Sequence, residues 1–135
     1  MTSPKWMRIV LFLAAAYNLL WGAWVVLYPL SAFQLVKMAP INYPPIWQCV
    51  GMIVGVYGLG YACAALNPVR HWPIILVGLL GKLLGPLGFF VSAIAGQLPW
   101  RFMLILVPND FIWWVPFTMI LLHAYKVERA NKVTE

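Results

Sequence analysis

The sequence predicts an all-helical integral membrane protein: a bundle of four transmembrane helices in two antiparallel hairpins, with a short interfacial helix between the first two. Three observations predict it. Long apolar runs fill most of the chain, the connectors between them are short and carry helix breakers, and the basic residues gather almost entirely in those connectors and at the ends. Of the 135 residues 64% are hydrophobic and 9% charged, whereas soluble domains are roughly half apolar.

The four runs cover residues 7–30, 46–66, 72–97 and 102–125. Each reaches the ~20 residues that a hydrocarbon core of ~30 Å demands. Hydrocarbon offers no partner to backbone groups, so each run must be helical. The first follows Lys5 and Arg8 and contains Ala14, Ala15 and Ala16, as a secretory signal would. It continues to Leu30, too long for a signal core, and is expected to stay as a helix. Asn67-Pro68 and Gln97-Leu98-Pro99 mark the two tight connections. Residues 31–45 form the longer link, with Ser31 as an N-cap, an apolar set in Phe33, Leu35, Val36 and Met38, and then Pro40, Pro44 and Pro45. That pattern suits a short helix lying at the interface. The whole of 1–135 is expected to be one transmembrane domain, ending in a cytoplasmic tail over 126–135.

Nine basic against three acidic residues give a net charge of +6. In a soluble chain that balance would suggest nucleic acid. Here it reads as an orientation signal instead, and no nucleic-acid partner is expected. One side of the membrane would hold Lys5, Arg8, Arg70, Lys126, Arg129 and Lys132, the other Lys37 and Arg101. Positive-inside reasoning then places both termini in the cytoplasm, with Trp6, Trp47, Trp72 and Trp100 at span edges.

Small residues draw a stripe down the second span at Gly51, Gly55, Gly58, Ala62 and Ala65, and down the third at Gly78, Gly81, Gly85, Gly88, Ser92 and Ala95. Close backbone approach drives helix association in lipid, so the two stripes are expected to form one packing seam. The short turn would set Gly51 level with Gly88, Gly55 with Gly85, Gly58 with Gly81 and Ala62 with Gly78. Pro86, Pro108 and Pro116 are expected to kink the third and fourth spans and open a cavity between them.

Lys82 is the most informative residue. It lies about ten positions, roughly 15 Å, into the third span, beyond the reach of a snorkelling side chain. An ammonium there needs a polar partner or a wet cavity and marks a candidate site. Its expected ligands are Tyr57, level with it across the hairpin, and Asn18 on the first span. Asp110, preceded by Asn109, is the acid inside a span. A turn after Gln97 would set Lys82 level with Pro116, so Asp110 would lie roughly 9 Å away along the axis. Two polar stations joined by water or by Asn109 are expected, the alternatives being a direct Lys82–Asp110 ion pair and Asp110 as a helix cap after Pro108. His71 and His123 are weak candidates for a metal or haem. Cys49 and Cys63, fourteen positions apart on one helix, are separated by roughly 21 Å and cannot bridge each other. No cofactor is identified.

The stretches Tyr17-Asn18-Leu19-Leu20-Trp21-Gly22, Trp47-Gln48-Cys49-Val50-Gly51, Arg70-His71-Trp72-Pro73-Ile74 and Asn109-Asp110-Phe111-Ile112-Trp113-Trp114 resemble an uncharacterised family of small four-helix bacterial inner-membrane proteins. Members are sometimes labelled alkyl hydroperoxide reductase, but no peroxidatic cysteine motif is present here. More distantly the chain is similar to the DoxX-like membrane proteins, some of which accompany quinone-linked respiratory enzymes. The resemblance implies a bacterial inner membrane and carries over no catalytic residue.

Three functions follow as expectations. The first is a bundle whose polar site, Lys82, Asp110, Asn18, Tyr57 and Asn109, binds or transports a proton, an anion or an amphiphile. The second is an accessory subunit of a larger respiratory or photosynthetic membrane complex, touching quinone, haem or pigment; a homo-oligomer is the other partnership expected, and would count against the subunit. The third is a membrane enzyme acting on lipid or quinone with Asp110 as acid or base, for which the sequence offers no nucleophile, metal triad or second buried carboxylate.

Overall fold

The computed structural model describes residues 3–133, with side chains through residue 131. Residues 134 and 135 of the expected tail, and the Lys132 side chain counted toward orientation, lie outside that description. Among the described residues every regular element is helical: α1 (Lys5–Leu27), α2 (Ser31–Leu35), α3 (Pro44–Leu66), α4 (Trp72–Ile94), a 3-10 turn (Trp100–Phe102), α5 (Met103–Leu106), a π-turn (Val107–Phe111) and α6 (Ile112–Val133). Four helical runs are long and apolar enough to cross a membrane: α1, α3, α4 and the compound run Trp100–Asn131. The protein is thus a four-helix, multi-pass membrane bundle.

Local chemistry moves several boundaries. The first span stops at Leu27 rather than 30, because Pro29 cannot continue a helix. α3 starts at Pro44, with prolines in its first turn where a missing N–H is tolerated. It ends before Asn67-Pro68, where the Asn67 side chain accepts the Arg70 N–H at 3.1 Å. α4 ends at Ile94, three residues short of the expected 97. Gly96 adopts φ +73°, and the Gln97 and Gly96 N–H groups return to the carbonyls of Ser92 and Ala93 at 2.9 and 3.1 Å. That is the Schellman pattern, in which a left-handed residue closes the helix. α2 closes in the same way with Lys37 at φ 52°, its Met38 N–H bonded to the Phe33 carbonyl at 2.8 Å. Ser31 is not the N-cap expected of it. Its hydroxyl donates back to the Tyr28 carbonyl at 2.6 Å.

The tightest packing joins α1 to α3, which form the most extensive helix pair. A Cβ added to Gly22 would sit 2.6 Å from the Gly51 carbonyl oxygen, and one on Gly58 would sit 2.9 Å from that of Ala15. Backbone meets backbone along this line, as small residues allow. Both ends are fastened by side chains reaching carbonyls in the partner's last turn, which lack ladder donors. Arg8 Nε donates to the Ala65 carbonyl at 3.1 Å, and Gln48 Nε2 to that of Val26 at 2.8 Å.

This corrects the expected seam. On α3, Gly51 and Gly58 face α1, not the matching stripe of α4, and a Cβ on Gly55 would meet nothing within 4 Å. Near the connecting turn Gly78 lies against Tyr61, not against the expected Ala62. The contact is a glycine under a phenol ring, where a Cβ on Gly78 would run into the Tyr61 hydroxyl. Tyr61 also packs edge-on against Phe117, centroids 5.1 Å apart, and so wedges α3 from α4. Further along, a Cβ on Gly81 or Gly88 would meet nothing within 4 Å. α4 pairs instead with the α5–α6 run.

Candidate functional site: a polar cleft between the second and third spans

The divergence of α3 from α4 opens a cavity of about 590 Å³. The opening was expected between the third and fourth spans; both line it, and α3 and α1 form the rest of its wall. α3 contributes Val50, Val54 and Tyr57 to the lining, α4 its glycines and Phe89, α1 Asn18 and Trp21, and the fourth span Phe102, Ile105, Asn109 and Asp110. Gly81, Gly85 and Gly88 are exposed along it. Within an apolar helix the glycines leave a smooth trough, because no side chain projects into the gap.

Three buried polar side chains line this cavity: Asn18 (2% exposed), Lys82 (5%) and Asp110 (5%). The Lys82 ammonium donates to the Asn109 carbonyl at 2.5 Å and lies 5.9 Å from the Trp113 ring centroid, within range of a cation–π attraction. The Asn109 amide in turn donates to the Asp110 carboxylate at 3.0 Å. Asn109 therefore links the two charges, and among the described residues no ion pair joins them directly. The expected ligands of Lys82 are replaced. Asn18 and Tyr57 line the same cavity, but Tyr57 packs on Tyr61 at 6.2 Å between centroids, and the Asn18 Oδ1 has no partner.

The expected axial offset of Asp110 also shrinks, since a Cβ on Gly85 would lie 3.9 Å from its Oδ1. The Gly96 stop shortens α4, which draws residues 109–114 toward Lys82. Asp110 is not a cap either. The chain passes through Pro108 without a break, by a π-turn in which the Ile112 N–H bonds to the Val107 carbonyl. Such turns widen a helix and redirect its carbonyls, here giving one to an ammonium.

One contact was missed by sequence reasoning and could have been found. Pro86 has no N–H for the carbonyl four residues back, which belongs to Lys82. The Trp114 indole supplies the missing donor, bonded to that carbonyl at 2.9 Å. Trp113 Nε1 similarly bonds to the Pro108 carbonyl at 3.0 Å. The tandem tryptophans are thus hydrogen-bonding struts for two proline-disturbed helices. Spacing i, i+4 between Lys82 and Pro86 was the available signal, although it names no donor.

Two further buried groups around the cleft lack partners, Asn109 Oδ1 and Trp47 Nε1. Away from it, His71 Nδ1 is buried and unpaired just before α4, and His123 is half-buried in α6. No group of three His, Cys, Asp or Glu suited to a metal occurs among the described residues. Cys49 and Cys63 are free and exposed. Comparisons with protein-family profiles, with curated proteins and with solved structures find no match to this chain.

Proposed function

We propose that the protein binds an amphiphilic small molecule, which it takes from or passes through the bilayer by way of the cleft between α3 and α4. The observation that carries this reading is the combination of a glycine-lined trough, open along the flank of two spans, with a buried Lys82–Asn109–Asp110 chain at its wall. Ionised groups at mid-membrane are unfavourable by about 2.5–3.5 kcal/mol on insertion scales, and they mark functional sites in membrane helices. A cavity with an apolar lining and a few converging polar groups suits a ligand with a tail and a head. A proton or small anion alone would leave the trough without a role.

The setting proposed is a bacterial inner membrane with both termini in the cytoplasm. It rests on the excess of basic residues at one end of the bundle and on the resemblance to small four-helix bacterial membrane proteins. A tag at either terminus should resist protease in intact spheroplasts and be cleaved after lysis.

Binding is tested by photolabelling the purified protein in nanodiscs with a diazirine-bearing oleyl alcohol and mapping the labelled peptides. Label should fall on α3 and α4 beside the cleft. The double substitution Gly81→Leu/Gly88→Leu should remove it while circular dichroism stays helical. Label spread evenly over lipid-facing residues, unchanged by the two leucines, would overturn the reading.

A second reading has one specific observation behind it: exposed glycines on α4 are also suited to receive a helix of another membrane subunit. A stoichiometric partner retained in mild detergent, and lost in the same double variant, would favour that subunit reading.

A further inference from the structure

We infer that the head group accepted by this cleft is electrically neutral and bears a hydroxyl, as in a long-chain alcohol or an acylglycerol. The inference rests on the amphiphile-binding reading and narrows it to a chemical class.

The first argument is charge balance. The basic group lining the cavity is that of Lys82 and the acidic group is that of Asp110, linked through Asn109. With one exchangeable proton between them, on either group, they sum to zero. A ligand arriving with a net charge would leave that charge uncompensated away from water, which is strongly unfavourable.

The second argument is the set of unpaired polar atoms. Asn18 Oδ1 and Asn109 Oδ1 lack donors, and Trp47 Nε1 lacks an acceptor; all three residues line the cavity. Buried polar atoms left alone are destabilising, so a partner is expected. A hydroxyl both donates and accepts. A sulfate only accepts, and a quaternary ammonium does neither. The Asn18 carboxamide oxygen lies within the wall, and rotation about its soft terminal torsion presents it to an incoming hydroxyl, whereas the Asn109 amide stays held by its bond to Asp110. Trp21, Trp47, Phe89 and Phe102 supply the apolar lining for the attached chain.

The test is competition against the photolabel by four molecules sharing one C18 chain: oleyl alcohol, its methyl ether, oleyl sulfate and oleyl trimethylammonium. The alcohol should compete about tenfold better than either fixed-charge head, and roughly threefold to tenfold better than the ether, the range that one hydrogen bond provides. In Asn18→Leu, which replaces an unpaired buried amide by an apolar group of similar size, the preference for alcohol over ether should shrink. Asp110→Asn should raise the sulfate relative to the alcohol, and Lys82→Met should do the same for the trimethylammonium. If either charged head matches the alcohol in the unmodified protein, the neutral-head inference fails while amphiphile binding stands. If alcohol and ether compete equally, water serves the amides and the hydroxyl assignment fails. If none of the four displaces label, the binding reading falls with it.

Discussion

The two faces of α3 and the neighbours they meet carry similar residues and end in opposite structures. Toward α1, Gly51 and Gly58, with Gly22 opposite, let two backbones touch, with Arg8 and Gln48 fastening the ends. Toward α4, an equally regular glycine stripe meets no residue of α3 beyond Gly78, and the space becomes a cleft. Small residues permit close approach without compelling it. What decides is whether anything bulky stands between the helices, and Tyr61, wedged against Gly78 and Phe117, does so on one side only.

The largest effect should come from breaking the closed face. Gly58→Leu drives a side chain into the Ala15 carbonyl, where backbone cannot yield, and should destabilise the bundle by about 3 kcal/mol or more. Gly81→Leu, on the open face, should change stability by less than about 1 kcal/mol, within the small effects expected away from packed features. Equilibrium unfolding in mixed SDS micelles reads both, and similar losses for the two would show that the cleft closes in the folded protein.

A smaller effect sharpens the account of how α4 is held away from α3 and on α6. Trp114→Phe removes the donor to the Lys82 carbonyl and should destabilise by about 1–2 kcal/mol. In a Pro86→Ala background, where the helix regains its own donor, the same substitution should be nearly neutral. Equal losses in both backgrounds would mean that the indole acts through packing alone. The smallest effect expected is that of Gly96→Ala, about 1 kcal/mol, from a left-handed conformation that alanine adopts poorly. Full retention of stability would assign the α4 stop to the following Pro99 instead.

Much of this was legible from residue order. Hydrophobic runs of spanning length fix the four helices, and depth alone singles out Lys82 and Asp110. Asn109 as the link between them also follows from its position next to the acid. The pairing of the glycine stripes was not legible, because periodicity identifies a smooth face without naming its neighbour. Gly22 is a lone glycine on α1 and gives no stripe to read, although it makes one of the closest backbone approaches in the bundle. The Lys82 ligand was missed for a related reason: it is a backbone carbonyl turned aside by a π-turn, and side-chain inventories do not display carbonyls.

The strut between Trp114 and α4 bears on how the chain is assembled. Both demanding groups of Lys82, its ammonium and its carbonyl, find partners on the final span. During synthesis the third span emerges first, with neither complement yet made, and lipid can supply none. The last two spans are therefore best inserted together as a hairpin, and a ribosome stalled between them would leave a nascent helix reluctant to leave the translocation channel.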